Sequence, residues 1–388
     1  MDVKELQLNS LLEVTRAVND NQPEESLYRI FYLICISNLR HKKVALIVKE
    51  EDELIVKQSK GLEFSEKSLL DLLSDDNIKD TRIEKAKDWD VTLPISHHGT
   101  LLAFVLLSVE STDENESQEE FKFLRTLANI LMVAIENKRF SRKELKRLAV
   151  EKELEIASRV QGMLIPKELP QHDTHTMCAT YLPHKTVGGD YYDVIDLSED
   201  EFIYCIADVS GKGIPAALLM SNFQASLRVL VRQNISLEKM VEELNLQLVT
   251  NTGGSSFVTM FLAKVNIETS KMVFINAGHN PSLLLRNGNV TSLSGGSTVL
   301  GALDELPFIE KQEIEIKKGD FIFNYTDGLT EISNDAGEEY EIERLSEFIK
   351  KANLESLPLF HKYILVEIEK FKENQDFFDD FTILSLQL

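Results

Sequence analysis

A charged segment without proline, KRFSRKELKRLAVEKELEIASRVQGML (138–164), constrains the architecture of this chain most. Apolar residues recur within it at steps of seven, four and three positions, which predicts a helix with one narrow apolar seam. The seam residues are Ala149, Ile156, Val160 and Met163. Such a seam is typical of a helix that pairs with a partner, and a solvated connecting helix is the alternative. Pro166 and Pro170 end the helix because proline cannot continue it.

The length of 388 residues exceeds what one hydrophobic core usually supports, so we expect the charged helix to join two domains. We place a sensor or dimerisation domain at 1–139, a helical linker at 140–165 and a second domain at 166–388.

The net charge and the cysteine content limit the classes of partner that this protein is expected to bind and the compartment in which it is expected to act. The 42 Lys and Arg against 64 Asp and Glu give a net charge of −22, which argues against nucleic acid or an anionic membrane as the main partner. The three cysteines form no Cys-x-x-Cys pair, so neither a disulfide framework nor a zinc knuckle is indicated. No apolar run reaches about 18 residues and the first residues lack the layout of a signal peptide. We expect a soluble, cytoplasmic protein.

The first 139 residues have the layout of a small α/β sensor domain. Three- and four-residue spacing of apolar residues predicts helices at 6–18 and 24–39. The stretches KVALIVKE, ELIVKQS, DVTLPIS and LLAFVLLSV predict four strands, with a helix between the second and the third. An acidic loop at 111–120 is expected to lead into a long helix that starts at Phe121.

Strand patterns dominate after residue 176, interrupted by amphipathic helices at 214–231 and 236–250 and by a further pair near 340–371. The predicted strands are DYYDVIDL, EFIYCIADV, SFVTMFLAKVNI, KMVFINA, SLLLRNGNVTSL, DFIFNYT and DDFTILSLQL. Because strands and helices come in runs rather than in strict alternation, we expect an α+β domain of two sheets covered by helices.

Acidic residues at strand ends or beside glycine are the candidates for chemistry in this domain. They are Asp190 in GGDYYD, Asp208 in ADVSGKG, Asp327 in YTDG, and Asp379 and Asp380 in DDFTIL. One such aspartate is typical of a turn cap, but several converging carboxylates repel one another unless divalent cations lie between them. Oxygen ligands favour Mg²⁺ or Mn²⁺, and two such ions about 3.5–4 Å apart can activate a water for attack on phosphorus.

The stretch VGGDYYDVIDL (187–197) allows three interpretations. Gly188, Gly189 and Asp190 could form a hairpin turn, the nucleotide-binding turn of a GGDEF-type cyclase, or one corner of a metal site. The cyclase signature needs an acid and then phenylalanine after Gly-Gly-Asp, where this chain has Tyr191 and Tyr192.

The region from about 155 to 388 resembles the SpoIIE-type branch of the PP2C metal-dependent Ser/Thr protein phosphatases. The matching motifs, in chain order, are ELEIASRVQGMLIPKELP, GGDYYD, ADVSGKGIPAALLMS, NAGHNPSLLLRNG, LGALDE, YTDGLTE and DDFTIL. The resemblance implies an α-β-β-α sandwich with two Mn²⁺ or Mg²⁺ ions at one end of the sheets. It also implies hydrolysis of phosphoserine or phosphothreonine by a metal-activated water.

The resemblance also assigns roles to residues. Asp208 corresponds to the acid that bridges both metals, with the backbone carbonyl of Val209 as its neighbour. Asp190 corresponds to the acid of the first motif and acts partly through metal-bound water. The acids of the last two motifs correspond to Asp327 and to either Asp379 or Asp380.

Glycines and other residues complete the predicted site. The site-loop glycines are Gly189, Gly211, Gly213 and Gly328, of which Gly211 and Gly213 are expected to let the loop turn tightly and start the next helix. His279 in NAGHNP is interpreted as a hydrogen-bonded loop anchor, with a general acid for the leaving oxygen as the alternative. No arginine matches the phosphate-binding arginine of the eukaryotic members, and Lys212 and Lys185 are the nearby cations.

The first 139 residues resemble GAF domains, with LLEVTRAVNDNQPEESLYRI (11–30) as the best stretch. The Asn-Lys-x-Phe-Asp-Glu signature of the cyclic-nucleotide-binding members is missing, so either an unidentified small ligand or ligand-free dimerisation is expected. Together the resemblances imply a homodimeric, sensor-controlled phosphatase whose substrate is a phosphorylated STAS-domain anti-sigma-factor antagonist. The alternatives are a catalytically inactive sensory scaffold and a GGDEF-like nucleotide cyclase.

Overall fold

The computed structural model describes residues 3–38, 41–50, 53–61, 91–108 and 114–388. The chain forms two compact units, Met1–Ala149 and Val150–Leu388. Their boundary falls inside one continuous helix, α3 (Glu114–Gln161), which begins in the first unit and includes residues 140–161 of the linker expected at 140–165. No glycine or proline interrupts these 48 residues. The acidic loop predicted at 111–120 is helical from Glu114 onward, since glutamate is a good helix former that favours a helix N-terminus.

The first unit contains a four-stranded antiparallel sheet in the order β2-β1-β4-β3. Its elements are α1 (Val3–Asn19), α2 (Glu24–Leu33) with a π-helical turn (Ile34–Asn38), β1 (Val44–Glu50), β2 (Glu53–Lys60), β3 (Val91–His97) and β4 (Thr100–Leu107). The first two predicted helices and all four predicted strands are confirmed. The helix predicted between the second and third strands lies outside the described residues.

The second unit contains eleven strands and five helices. They are β5 (Thr176–Leu182), β6 (Tyr191–Asp196), β7 (Glu201–Val209), α4 (Ile214–Arg232), α5 (Leu237–Thr252), β8 (Val258–Asn266), β9 (Lys271–Ala277), β10 (Ser282–Arg286), β11 (Asn289–Leu293), β12 (Gly296–Ser297), β13 (Gln312–Glu315), β14 (Phe321–Tyr325), α6 (Asp327–Thr330), α7 (Glu341–Lys350), α8 (Leu357–Lys372) and β15 (Phe381–Gln387).

These strands form two sheets that pack face to face between helices. One sheet has the order β11-β10-β14-β15-β5, and the other has the order β12-β9-β8-β7-β6, with β13 also paired to β9. Helices α4 and α5 cover the second sheet, and α7 and α8 cover the first. Apolar residues of both sheets, such as Phe261 and Leu384, share one buried core, and a further core lies between the first sheet and its helices. The predicted α-β-β-α sandwich is confirmed.

The strand registers bring the predicted acids to one end of the sandwich. Tyr191 at the start of β6 lies opposite Ala207 near the end of β7, and Tyr325 at the end of β14 lies opposite Ile383 near the start of β15. Because β5 and β6 belong to different sheets, Gly188 and Gly189 do not close a hairpin. They lie in the connection from one sheet to the other, so the hairpin interpretation of this stretch is wrong.

Helix α4 is long and apolar enough to cross a membrane by length and composition, and it is the one such helix within the described part of the chain. In the structure it packs on the β6–β7 face, with Met220, Phe223 and Leu227 buried. A buried helix in the core of a soluble fold has the same composition.

Candidate metal centre

Asp190 and Asp208 lie close together at the ends of two neighbouring strands of one sheet. Asp190 precedes β6 and is 2% exposed, and Asp208 lies next to last in β7. Burial and then the neighbouring carboxylate of Asp208 raise the pKa of Asp190 well above its usual value. Burial, followed by the charges of Asp327 and Asp379, raises the pKa of Asp208 to about 7, while a hydrogen bond with Asp190 opposes this effect. Charging both carboxylates at once is therefore unfavourable here, and a positive charge beside them would offset this cost.

Two threonine hydroxyls from the opposite sheet hold Asp190. Thr326 Oγ1 donates to Asp190 Oδ2 over 2.8 Å, and Thr382 Oγ1 donates to the same oxygen. The threonines also bind each other, since the Thr382 amide donates to Thr326 Oγ1 over 3.1 Å. Asp190 begins a strand of one sheet and is thus fixed by side chains of the other.

Asp380 anchors the connection that carries Asp190. Its side chain is buried, and Oδ1 accepts the amide N–H of His184 over 2.8 Å. Oδ2 accepts the amides of Gly189 over 2.6 Å and of Asp190 over 3.3 Å. Both carboxylate oxygens of Asp380 therefore accept hydrogen bonds from backbone amides of the loop 183–190.

Asp379, the other member of the pair, points to a different environment. Its side chain is 27% exposed, and Oδ2 lies 2.8 Å from Lys212 Nζ. Its charge raises the pKa of Asp327, after the larger effect of burial, while Lys212 acts in the opposite direction. The charge of Asp379 thus acts on the carboxylates of Asp208 and Asp327, whereas the oxygens of Asp380 bind backbone amides of the loop.

Three glycines allow the backbone segments of the site to approach closely. A methyl group at Gly188 would overlap Asp380 Oδ2 and Tyr181 Oη, and one at Gly328 would overlap the backbone oxygen of Asp380. A methyl group at Gly189 would lie 2.7 Å from the backbone oxygen of Val209. None of the three has a positive φ, so the requirement for glycine is close packing.

Gly211 and Gly213 have a different role. Their φ angles are +91° and +77°, and a methyl group on either would meet no atom within 4 Å. They let the chain reverse after β7 and begin α4 at Ile214, where Gly213 is the N-cap residue.

The last residue of α3 reaches the same loop. Gln161 is 6% exposed, and its side-chain amide donates to the Gly188 carbonyl over 2.6 Å. The Gly188 amide donates back to Gln161 Oε1 over 3.2 Å. The end of the long helix is therefore hydrogen-bonded to the backbone two residues before Asp190.

His279 lies in the turn after β9 and is buried. Nδ1 is 2.7 Å from Thr259 Oγ1, and the His279 backbone amide donates to Asn276 Oδ1 over 2.7 Å. Burial lowers the pKa of the imidazole to about 4, opposed by the backbone of Tyr325. Thr259 pairs with Asp208 across β7 and β8, so the imidazole contacts the strand beside the acids.

We expect His279→Ala to lower stability and to leave turnover per folded molecule within about threefold. The change leaves a cavity and the buried Thr259 hydroxyl without its partner, at a cost of about 2–4 kcal/mol in free energy of unfolding. Thermal unfolding together with turnover corrected for the folded fraction checks this. An unchanged melting temperature with lost turnover would instead assign a general-acid role.

The donor set of the site suits a hard divalent cation. The candidate ligands are carboxylates and the Val209 carbonyl, and all of them are oxygen donors. Among the described residues, no group of three or more His, Cys, Asp or Glu side chains is arranged to hold a metal ion by itself. Hydroxyls, amides and Lys212 bind several of the carboxylate oxygens. Mg²⁺ and Mn²⁺ keep several waters and need few protein ligands, so the set fits them.

Sequence reasoning missed the residues that hold the acids. Thr326 and Thr382 lie inside the motifs YTDG and DDFT, next to the aspartates that were predicted as site residues. Their signal was a polar residue at an inward-facing position of an apolar strand. Gln161 had no comparable signal, because a glutamine in a charged helix is typical of a solvent-exposed face.

Comparison with curated proteins places the chain among bacterial phosphatases. Its sequence is 31% identical over 242 residues to phosphoserine phosphatase RsbU of Bacillus subtilis, which covers 61% of this chain and 70% of that protein. It is 24% identical over 265 residues to protein IcfG of Synechocystis, covering 60% of this chain and 41% of that protein. The match to phosphoserine phosphatase RsbP of B. subtilis is 23% identical over 188 residues and covers 47% of this chain and 46% of that protein.

Comparisons with solved structures and with protein families agree with this similarity to phosphatases. The SiaA-PP2C domain of Pseudomonas aeruginosa matches 63% of this chain and 98% of its own length, with a TM-score of 0.56 and 18% identity, which shows the shared fold. The family described as Stage II sporulation protein E (SpoIIE) matches residues 198–388. These matches exclude the nucleotide-cyclase alternative. The chain belongs to the SpoIIE family of PP2C-type protein serine/threonine phosphatases.

Proposed function

We propose that this protein removes phosphate from phosphoserine or phosphothreonine of another protein, at the acid cluster between the two sheets, with two Mn²⁺ or Mg²⁺ ions. The observation that carries the proposal is the burial of Asp190, Asp208 and Asp327 close to other carboxylates, which raises the pKa values of all three. An acidic protein that accumulates charge in this way needs cations at the same place.

The residues proposed to hold the ions are Asp190, Asp208, Asp327 and Asp379 together with the carbonyl of Val209. We favour Asp379 over Asp380 because Asp380 already binds three backbone amides. When bound, the ions would lower the pKa of a water and offset the charge of the phosphoryl group.

The chain's own residues set the geometry for this chemistry. Thr326 and Thr382 fix the Asp190 carboxylate, and Asp380 fixes the loop from which Asp190 projects. The glycines at 188, 189 and 328 bring three backbone segments together without a shell of side chains between them. These hydrogen bonds and close backbone contacts hold the acidic side chains in fixed positions near one another. A site that binds and orients a phosphate needs such fixed positions.

The test is hydrolysis of a phosphoserine peptide, measured as released phosphate with Mn²⁺, with Mg²⁺ and with excess chelator. Hydrolysis with either ion and loss of it with the chelator are expected. No hydrolysis of any phosphoprotein or aryl phosphate under these conditions would favour the sensory-scaffold alternative.

For the substrate we propose a phosphorylated STAS-domain anti-sigma-factor antagonist, so that dephosphorylation frees a sigma factor through partner switching. The supporting observations are the motif series and the likeness to the phosphoserine phosphatases RsbU and RsbP. The net charge of −22 supports a cytoplasmic site of action away from nucleic acid and membrane surfaces. Screening candidate antagonists for phosphate loss would identify the substrate.

Regulation is proposed to run from a GAF-like sensor at 1–139, with or without a small ligand, through helix α3. Two features support this: α3 is unbroken from Glu114 to Gln161, and Gln161 is bonded to Gly188. A homodimer is part of the proposal, because apolar residues of the helix lie on the surface. They include Leu145, Ile156 and Val160, each at least half exposed, whereas Met163 of the predicted seam lies beyond the end of the helix.

Gln161→Leu in the full chain tests the coupling. We expect turnover to fall by about tenfold, because the near-isosteric side chain leaves the polar backbone of Gly188 unpaired and the loop free to shift. The matched control is Gln171→Leu, which removes an exposed glutamine ten residues further along. Equal turnover of wild type and Gln161→Leu would contradict the coupling.

A further inference from the structure

Lys212 is the cation placed directly on the acid cluster. Its Nζ lies 2.8 Å from Asp379 Oδ2 and donates to the Phe378 carbonyl over 2.6 Å. The ammonium also lies 5.3 Å from the centre of the Phe378 ring. The Lys212 side chain is 42% exposed, so this ammonium is at the mouth of the site and remains accessible to a ligand.

The surrounding loop leaves the lysine stem room to move. Gly211 and Gly213 flank it, and neither would bring a methyl group within 4 Å of another atom. Asp379 is held independently, because the amide of Asp380 donates to Asp379 Oδ1 over 2.9 Å. The ammonium can therefore leave Asp379 while the carboxylate keeps its position.

The charge balance shows what the lysine does in the absence of other cations. Five aspartates of the four motifs share this end of the sandwich, and the Lys212 ammonium lies within ion-pair distance of one of them, Asp379. Lys185 lines the same shallow depression but forms no ion pair with an acid among residues 150–388. Lys212 is thus the internal counter-ion of the cluster.

We propose that Lys212 is the phosphate-binding residue of the site and is stored on Asp379 until a divalent cation takes over that carboxylate. This inference rests on the proposed function and adds the group that recognises the substrate's phosphate. A cation on Asp379 removes the one carboxylate that lies within 4 Å of the lysine in the described part of the chain. A phosphate dianion arriving at the same cations is then the nearest anion that can accept its N–H groups.

The alternative is that Lys212 and Asp379 form an ordinary surface ion pair. The proposal and this alternative predict different effects of removing Lys212 on metal affinity and phosphate affinity. A surface pair would leave both metal affinity and phosphate affinity almost unchanged when it is removed. A stored phosphate ligand that competes for Asp379 changes them in opposite directions: metal binds more tightly without the competing ammonium, and phosphate binds more weakly.

The experiment uses the full chain and three variants: Lys212→Met, Lys212→Arg and Lys185→Met. Calorimetry measures Mn²⁺ binding to the metal-free proteins and inorganic phosphate binding to the Mn²⁺-loaded proteins. For Lys212→Met we expect Mn²⁺ affinity to rise by about three- to tenfold and phosphate affinity to fall by about tenfold. Lys212→Arg keeps the charge and should retain phosphate affinity within about threefold. Lys185→Met removes the same charge nearby and should alter neither affinity by more than about twofold.

Two results would overturn the inference. One is a phosphate affinity of Lys212→Met equal to that of the wild type, and the other is an equal effect of Lys185→Met, which would make the net charge and not Lys212 responsible. Both binding measurements are independent of turnover. A wild type that binds Mn²⁺ and phosphate but hydrolyses no phosphoprotein would therefore contradict the proposed function and leave the role of Lys212 supported.

Discussion

Asp208→Asn is expected to abolish metal-dependent hydrolysis while making the metal-free protein more stable. Activity should fall by about 10²-fold or more, because Asp208 is one of the acids that would hold the ions. Stability should rise because burial and the carboxylates of Asp327 and Asp379 oppose the charge that asparagine lacks.

The sign of the pH dependence follows from the direction of the shift. The folded-state pKa of Asp208 is about 7, above its unfolded value of 3.8. Protonation of Asp208 therefore stabilises the fold fully below about pH 4, and this contribution is lost as the pH rises through about 7. The advantage of Asp208→Asn should be largest near pH 8, on the order of 2–4 kcal/mol in free energy of unfolding, and should vanish near pH 4.

Thermal unfolding with excess chelator at pH 8 and pH 5 measures this effect. At about 2–4 °C per kcal/mol, the variant should melt several degrees above the wild type at pH 8. Saturating Mn²⁺ should remove or reverse the difference, because the cations stabilise the wild type through the same carboxylate. Asp200→Asn, in the exposed β6–β7 turn, is the matched control and should change neither stability nor activity. A variant less stable than the wild type in chelator would contradict the repulsion on which the metal proposal rests.

Gly188→Ala is expected to inactivate the protein through one methyl group. That group would overlap Asp380 Oδ2 and Tyr181 Oη, so either the Asp380 side chain or the loop 183–190 must move. Displacement breaks the Asp380 bonds to the Gly189 and Asp190 amides and shifts Asp190 away from Thr326. Overpacking costs about 1–3 kcal/mol, and a shift of about 1 Å in a positioned group can cost about 10²-fold in rate.

A second glycine provides the control for Gly188→Ala. Gly288 in the β10–β11 turn has a φ of +79° and open space around it, so Gly288→Ala adds backbone strain of about 1 kcal/mol without a clash. It should lower the melting temperature by a few degrees and leave turnover per folded molecule unchanged. Retained turnover in Gly188→Ala would show that the loop can be displaced without moving Asp190, and would contradict close packing as the reason for this glycine.

The local features of the chain were predictable because they depend on neighbours in sequence. The period of the apolar residues indicated the helices and strands, and runs of strands beside helices indicated two covered sheets. The aspartates in GGDYYD, ADVSG, YTDG and DDFTIL were identified because they stand at strand ends or beside glycine. An acid at a strand end lies close to the apolar core and can still reach solvent. The starting point of α4 after Gly213 was likewise readable from the glycines before it.

The tertiary structure decided what each of these residues touches. Asp379 and Asp380 are adjacent and chemically identical, yet one pairs with Lys212 and the other binds backbone amides near residue 190, because successive residues point to opposite sides. A hairpin turn was one of three interpretations of Gly188 and Gly189, and it is wrong because their flanking strands belong to different sheets. Local sequence predicts a residue's chemistry and its backbone preference, whereas its partners come from segments more than 100 residues away, and only packing brings those together.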